Sequence, residues 1–525
     1  MALRVACIGG GPGGLFFSTL FKQTVPEAEV VLFERNQATD AFGFGVVFSD
    51  ATLNRINDAD PVVRNGLRDV GTHWDDIEVW LKGEQKSFSG NGMAAIYRKT
   101  LLQLMQERAA EAGVDMRFGQ YVPDLSQLAD FDLIVGADGA NSSTREQLGE
   151  GLGHTAETAT AKFIWFGTSH KFKGMTFLHR KSEFGNFAVH GYPISEDLST
   201  FIVETDEETW RKAGLDEFDV SQPPGPSDLK TQRFLEKLFA EDIAGEPLVA
   251  NSSRWANFRT RRTRSWHKGN VVLLGDAVHT AHFSVGSGTK MAMEDAITLV
   301  REVAAHQDDL ETAFTNYEAE RQPQVAKIQN QARGGLSWWE HFGRYYDAFA
   351  PTQFTFHFFS RSIDIDKIRQ RDAGLVEAVE EDWLTRHGHT PFETPLETGP
   401  VRFGGRLLSL TRQNGQAVLT GPGGSVALVT DPADADATTA LLLTAPDTEA
   451  GLAAAFDQLP AQAAAIVIQG GNPFTRILLS EEARLGRGLT SVIVDDRGPV
   501  SALTLVLSGR ADAVATATTT EATDA

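Results

Sequence analysis

Arg4-Val5-Ala6-Cys7-Ile8-Gly9-Gly10-Gly11-Pro12-Gly13-Gly14-Leu15-Phe16-Phe17-Ser18-Thr19-Leu20 is the stretch on which the fold turns. A short apolar run stops at a cluster of glycines, and an apolar segment that reads as a helix follows. Glu29-Val30-Val31-Leu32-Phe33 is a second strand, closed by Glu34 and Arg35, so the segment predicts a βαβ unit. Gly9, Gly11 and Gly14 fit G-x-G-x-x-G, with Pro12 and Gly13 inside the same turn. The first glycine permits a tight turn, the second lets a pyrophosphate approach the backbone, and the third lets helix and strand pack closely. Amides at the helix start favour the phosphate charge. Glu34 lies at the spacing expected of a carboxylate that accepts hydrogen bonds from a ribose hydroxyl. A glycine-rich turn without a ligand is the plain alternative, and this motif alone does not separate FAD from NAD.

Two later segments resolve that ambiguity. Phe131 to Gly136 reads as a buried strand and leads to Asp138-Gly139, and Val271 to Leu274 leads to Gly275-Asp276. Asp276 is placed to bind a ribityl or ribose hydroxyl. The order and spacing of the three motifs resemble the group A flavoprotein monooxygenases, the class of para-hydroxybenzoate hydroxylase. In that family the third motif runs Gly-Asp-Ala-Ala-His, then Pro-Pro, then glycines against the isoalloxazine, then Asp-Ala on a helix. Here it reads Gly275-Asp276-Ala277-Val278-His279-Thr280-Ala281-His282-Phe283-Ser284-Val285-Gly286-Ser287-Gly288, with Asp295-Ala296 following. Arg98, after Ile96-Tyr97, matches the family's flavin-contacting arginine. The resemblance covers residues 1 to about 340. His282-Phe283 in place of Pro-Pro, and Lys290 in place of asparagine, are similar to a narrower branch. That branch holds salicylyl-CoA 5-hydroxylases and 2-aminobenzoyl-CoA monooxygenases, with violacein-pathway indole hydroxylases more distant. Lys162–Thr168 and Thr200–Trp210 look similar to it as well.

The resemblance implies an α/β fold: a Rossmann-type FAD domain with an inserted antiparallel substrate sheet. It also implies tightly held FAD, NADH or NADPH visiting transiently, O2 as co-substrate and an aromatic substrate that gains one oxygen atom. Gly286, Ser287 and Gly288 would hold the flavin ring, together with the glycines and acids above. No second complete dinucleotide fold is present for the nicotinamide. His282 is the candidate base for a substrate phenol, with an imidazole merely packed beside the flavin as the alternative. His279 is expected to make a structural hydrogen bond. His190, Tyr192 and Phe283 are candidates for orienting the substrate. Arg254, Arg259, Arg261, Arg262, Arg264 and Lys268 form a basic run without an acid. Arg259, Arg261 and Arg262 in particular could hold the phosphates of a coenzyme A tail, against the alternatives of internal salt bridges or cofactor phosphates. A 2-aminobenzoyl-CoA or indole hydroxylase, a flavoprotein reductase without oxygen insertion and a non-catalytic flavin scaffold are the competing readings. The Trp-x-Trp-x-Ile-Pro segment of flavin-dependent halogenases is absent.

The chain has 525 residues and a net charge of −22, which argues against a nucleic-acid partner. A single cysteine, Cys7, excludes an intrachain disulfide and reads as a buried strand thiol. No metal-ligand spacing stands out. No apolar run of about 18 residues predicts a membrane span, and no signal-peptide pattern opens the chain, so a cytoplasmic monomer or homodimer is expected. The expected domains are residues 1–155 (FAD domain, first part), 156–253 (substrate sheet), 254–345 (FAD domain, last part, and a long helix), 346–395 (a connection), 396–512 (a small α/β module) and 513–525 (a disordered tail). Residues 160–206 alternate as an antiparallel sheet, Gln222–Pro226 reads as a loop, and Pro323 predicts a kink or break in the helix over 308–343. In the C-terminal module Ile477–Leu479, Gly488–Val494 and Leu507–Asp512 faintly resemble closing strands of an old-yellow-enzyme barrel. The remaining chain is too short for a complete (β/α)8 barrel, which implies a reduced remnant without its own flavin.

Overall fold

The computed structural model of the protein describes residues 3–49, 53–220, 225–399, 401–413 and 415–521. The chain forms two compact units, residues 1–85 with 90–343, and residues 86–89 with 344–525.

In the first unit the strand Arg4–Ile8 lies between Glu29–Glu34 and Leu133–Gly136, parallel to both. Val271–Leu273 extends this sheet in parallel beyond Leu133–Gly136, and Asp115–Phe118 forms the far edge. Val5, Ala6 and Cys7 are all fully buried, which is why the strand reads as a continuous apolar run rather than as an alternating one. Burial pushes the Cys7 thiol up to about 12, so it packs as a small neutral group.

A second, antiparallel sheet is built from His154–Thr168, Met175–Lys181, Asn186–Pro193 and Ser199–Thr205. Successive side chains on a strand point to opposite faces, and here the two faces differ sharply. Ile164, Phe166, Leu178, Phe187, Val189, Phe201 and Val203 enter an apolar cluster that includes Leu235 of the helix Leu229–Leu238. The alternate positions, Phe163, Trp165, Phe177, His190, Tyr192 and Ile202, line a cavity. Asp228 caps the helix by accepting from the Thr231 amide; of the loop read over Gln222–Pro226, residues 222–224 lie outside the described residues.

Pro323 does not break the long helix, which runs from Leu310 to Ala348. The physical reason is anchoring on both sides of the proline. Before it, the Tyr317 hydroxyl donates to the Leu273 carbonyl and Arg321 pairs with Asp295 at 2.8 Å. After it, Gln329 donates to the Arg261 and Thr280 carbonyls. Together these outweigh a local cost of about 3 kcal/mol.

The second unit contains the helices Pro351–Phe359, Ile365–Arg371 and Ala373–His387 where the sequence reads as a connection. Beyond them, seven strands close a barrel: Leu407–Gln413, Gln416–Gly421, Gly424–Val429, Ala440–Thr444, Ile466–Gln469, Ser491–Val494 and Ala513–Glu521. The first three are antiparallel hairpins, the rest pair in parallel, and the last closes in parallel on the first. Ala440, Ala465, Val467, Val492, Val494, Ala513 and Ala515 share one cluster, whereas Leu441, Leu443, Ile466 and Ile468 join Leu452 and Leu479 of the covering helices. This in–out alternation is that of a side-chain-filled barrel. The disordered tail expected over 513–525 is corrected as far as residue 521: Ala513–Glu521 is the closing strand, because Ala513 and Ala515 are small enough for the crowded interior, and residues 522–525 lie outside the described residues. Of the stretches read as strands, Ser491–Val494 is one, but Ile477–Leu479 lies in the helix Pro473–Glu481. Glu481 anchors this unit internally, accepting from the Tyr345 hydroxyl at 2.5 Å and meeting His357 Nε2 at 3.1 Å.

Alternation predicts that Ala515→Asp, which puts a charge in the barrel cluster, costs upwards of about 3 kcal/mol. Thr516→Asp, at an exposed position, is expected to stay within about 0.5 kcal/mol. Chemical denaturation of the two variants checks the closing role of this strand.

Candidate active site

The glycine turn and its neighbours line one cavity, and the sheet wall lines another. Gly9, Gly11, Pro12, Glu34, Arg35, Asp138 and Gly139 line the first. Gly14 cannot carry a side chain, since its Cβ would sit 2.0 Å from the Gly9 carbonyl oxygen, so helix and strand meet there in direct backbone contact. Gly13 would meet Leu274, and is likewise a packing residue. At Gly11 and Gly139 the Cβ position opens onto space instead, the shape a cradle needs. The helix Pro12–Thr24 starts at this opening. Glu34 is preset by its neighbours: Oε2 accepts from the Gly10 amide at 2.7 Å, and Oε1 accepts from the Asn36 amide at 2.8 Å.

Asp138 has a second engagement besides the one the motif suggests. Its carboxylate accepts from the Ser142 hydroxyl at 2.5 Å and from the Thr144 amide and hydroxyl, both at 3.0 Å, so it shapes the turn into the helix Ser143–Leu148. Gly275 is constrained by its own backbone and packing: its φ is +60°, and a Cβ would press on Ala292 at 2.9 Å.

The second cavity, about 850 Å³, is bounded by the sheet wall, Gly45–Ser49, and the loop with Gly286, Ser287 and Gly288. Arg98 lines both cavities and so marks the passage between them. Burial lowers its basicity, with Asp276 and Tyr192 opposing. Asp276 opens onto the second cavity, where its side chain stays accessible; desolvation by the surrounding protein raises its carboxyl, opposed mainly by His279 and Arg98. A dinucleotide whose phosphates occupy the glycine cradle and whose ring system passes Arg98 and Asp276 to the 286–288 loop fits these residues. FAD has that length and two-ended shape.

His282 is 2 % exposed and stands behind Phe283, its ring 4.2 Å from that ring. The residues lining the cavity here are Ala281, Phe283 and Ser284. Nδ1 of His282 accepts from the Ser284 amide at 3.3 Å and lies 2.9 Å from the Ser284 hydroxyl, so the imidazole caps the Phe283–Val285 turn. Its Nε2 faces Glu204 Oε2 at 3.9 Å. His190 does line the cavity, and its Nε2 is 2.8 Å from Glu204 Oε1. Burial pushes the Tyr192 hydroxyl up to about 12. His279 Nε2 bonds Asp295 at 2.7 Å, a structural role. Glu204 was not singled out from sequence. The available signal was an acid in phase with Thr200 and Ile202, directly after the apolar run Phe201-Ile202-Val203.

The basic run is dispersed. Arg254, Arg259 and Arg261 line the cavity, while Arg262 pairs with Glu157 at 3.0 Å and Lys268 donates to the Leu148 carbonyl. Arg261 is buried, which lowers its basicity, as do Arg145 and Arg259 nearby. Arg259 is exposed and has no ion-pair partner among the described residues. No metal-ligand cluster and no helix long and apolar enough to cross a membrane occur among the described residues.

Fold and cavity together define a flavin-binding oxidoreductase with an aromatic chamber. Residues 128–332 match the FAD binding domain family model. A salicyloyl-CoA 5-hydroxylase from a Streptomyces species is 53% identical over 517 residues, covering 98% of this chain and 99% of that protein. A 3-hydroxy-4-methyl-anthranilyl-[aryl-carrier protein] 5-monooxygenase from Streptosporangium sibiricum is 34% identical, covering 64% of this chain and 89% of that protein. Among solved structures, a variant of 2-methyl-3-hydroxypyridine-5-carboxylic acid oxygenase superposes with a TM-score of 0.53 at 19% identity, over 65% of this chain and 93% of that one, a likeness of fold. The chain belongs to the FAD-dependent aromatic monooxygenases, the group A flavoprotein hydroxylases. It is an enzyme that uses FAD, with NAD(P)H and O2 as co-substrates.

Two glycine variants separate folding from cofactor binding. Gly14→Ala is expected to unfold the turn and abolish both stability and FAD uptake. Gly11→Ala should leave the melting temperature of the apoprotein within about 2 °C, yet weaken FAD binding at least about tenfold, by roughly 1.4 kcal/mol. Thermal melts with flavin titration read both.

Proposed function

We propose that the protein hydroxylates an aromatic acyl-CoA, converting salicyloyl-CoA to the 2,5-dihydroxybenzoyl (gentisyl) thioester. The single observation that carries this is the 53% identity to a salicyloyl-CoA 5-hydroxylase along almost the whole of both chains. The cavity chemistry supports it. Phe163, Trp165, Phe177 and Phe283 surround one end, suited to a flat aryl group, while Arg254 and Arg259 stand on the same cavity's wall. An aryl thioester with a phosphate-bearing tail has this polarity.

Bound FAD, reduced by NADH or NADPH, supplies the activated oxygen. The chain's own residues hold the cofactor and the aryl group. Gly9, Gly11, Pro12 and Gly139 shape the phosphate cradle, Glu34 and Asp276 take hydroxyls of the nucleotide and Arg35 borders it. Arg98, Gly286, Ser287 and Gly288 surround the ring system. An ortho-hydroxyl on the aryl group directs substitution para to itself, which gives the 2,5 pattern. His190, Tyr192 and Phe283 orient the aryl group. Arg259 and Arg261, with Arg254, receive phosphate charge, whereas Arg262 is paired with Glu157 and off the cavity lining. A cytoplasmic site, with its supply of nicotinamide cofactor, and a monomer or homodimer suit this role.

Substrate-dependent NAD(P)H oxidation with salicyloyl-CoA, matched against free salicylate and 2-aminobenzoyl-CoA, tests the reading. Isotope-labelled O2 should place one labelled atom in the thioester product. Stimulation by the free acid alone, or by 2-aminobenzoyl-CoA alone, would overturn the substrate, and reduction without label would overturn hydroxylation. Arg259→Glu is expected to raise KM for the thioester about tenfold, roughly 1.4 kcal/mol, with kcat within about twofold.

A further inference from the structure

The cavity wall that meets the aryl group is almost entirely aromatic, yet it carries one buried acid–imidazole pair. His190 and Glu204 sit diagonally on neighbouring antiparallel strands, since His190 pairs with Ile202 and Ala188 pairs with Glu204. They therefore share the cavity-side face. His190 is 4 % exposed and Glu204 1 % exposed, with Nε2 and Oε1 2.8 Å apart. Phe177, Phe283 and Trp339 surround the imidazole, with ring centroids at 5.0, 5.7 and 4.3 Å. An ionised carboxylate is costly in such surroundings unless it is paired.

We infer that His190 is the group that takes the proton from the substrate's phenolic hydroxyl, and that Glu204 and His282 are its positioning residues. This rests on the reading of the substrate as an ortho-hydroxyaryl thioester.

The tautomers follow from the neighbours. Glu204 accepts only, so the Nε2 that stands 2.8 Å from its Oε1, in ion-pair contact rather than an aligned hydrogen bond, is assigned the proton, and Nδ1 is the basic nitrogen. His282 accepts at Nδ1 from the Ser284 amide and so carries its proton on Nε2, the nitrogen facing the other oxygen of Glu204. The carboxylate is thereby held between two imidazole N–H groups, one close and one at 3.9 Å. His282 acts through Glu204 rather than on the substrate, because Phe283 stands on the cavity wall in front of it. The other titratable neighbour is His179 on the adjoining strand, stacked on Trp339 at 7°, where burial holds it neutral by lowering it to about 3.

The remaining polar groups of this cavity do not compete. Tyr192 keeps its proton, pushed up to about 12. The arginines lack a basic lone pair. Asp276 belongs to the opposite side, among Arg98, His279 and Arg261.

The step balances. The phenolic O–H bond breaks, an N–H bond forms on His190, and the electron pair left on oxygen enters the ring and raises its nucleophilicity. The new imidazolium is neutralised by the adjacent Glu204 carboxylate, so the dyad gains no net charge beyond the proton it receives. When the ring carbon that accepts oxygen releases its own proton and aromaticity returns, His190 gives its proton back to the phenolate oxygen.

The test uses the full-length holoenzyme with salicyloyl-CoA isotopically labelled at its phenolic carbon. Carbon NMR of the bound ligand on the oxidised enzyme reports phenol against phenolate without turnover. Wild type is expected to bind phenolate at a pH where H190Q binds phenol, with FAD content unchanged as the folding control. H190Q should lose at least 100-fold in hydroxylation rate while NAD(P)H oxidation continues uncoupled, within the range usual for loss of a general base. E204Q removes the charge that favours imidazolium, so the pH at which the rate rises should move down, and E204D should restore it in part. Should H190N be needed because H190Q loses FAD, the same spectrum is read from it. A phenolate signal in the His190 variants at the wild-type pH, or an unmoved pH profile in E204Q, would overturn the dyad while leaving hydroxylation standing. Wild type that neither binds nor hydroxylates the labelled thioester would instead overturn the substrate reading.

Discussion

One buried carboxylate holds the flavin end of the first unit together. Asp295 is completely buried, accepting from the Gly275 amide at 3.0 Å and pairing with Arg321 at 2.8 Å, while His279 Nε2 lies 2.7 Å away. Burial alone would raise this carboxyl, but His279 and Arg321 bring it down to about 2. Three sequence-distant pieces thus converge on one charge: the glycine loop after Val271–Leu273, the helix Gly288–Ala305, and the long helix Leu310–Ala348. Removing one partner of a buried pair costs about 3–5 kcal/mol, because the other charge is left unpaired. The loop that presents Asp276 and the 286–288 glycines therefore inherits its position from a network that itself touches no ligand cavity. Pro323 survives inside the long helix for the same reason.

What was legible in the sequence follows from this division of labour. Gly9, Gly11 and Gly14 were readable because a backbone contact or an empty cradle leaves glycine as the one residue that fits, and such needs have fixed spacing. The alternating sheet was readable because two-residue periodicity marks two faces. Asp138 lines the cradle as the motif suggests and also accepts from Ser142 and Thr144, a second engagement that a motif does not display, since it records a residue's position but not which neighbours share its lone pairs. The basic run over Arg254–Lys268 splits because consecutive side chains on the strand Ala256–Thr263 diverge, so Arg261 and Arg262 cannot serve one ligand directly. The closing strand of the barrel was hidden by its composition. Alanine and threonine repeats read as low complexity, although a narrow barrel demands small residues at alternate positions.

The histidines show the same limit from the catalytic side. His282 adjoins the glycine loop in sequence and drew attention for that reason, whereas His190 and Glu204 are separated along the chain and meet only through strand register. Two residues on a diagonal across an antiparallel pair are neighbours that no local pattern displays. Glu204 is buried on a face otherwise given to aromatic and aliphatic groups, a placement that folding alone does not favour.

The second cavity is lined both by arginines and by an aromatic wall that carries one acid–imidazole pair. Arg254, Arg259 and Arg261 leave their part of its lining cationic, and a polyanionic tail would be drawn there through long-range attraction. At the aromatic wall the acid and imidazole of Glu204 and His190 stand 2.8 Å apart, so their charges can cancel within the pair. An arginine in direct contact with His190 would disfavour its imidazolium and weaken it as a proton acceptor. A carboxylate in that place does the reverse. The cavity's Arg259 and Arg261 lie on the strand Ala256–Thr263 and the acid–imidazole pair on Asn186–Pro193 and Ser199–Thr205, so on the proposed reading tail binding and ring activation draw on different strands.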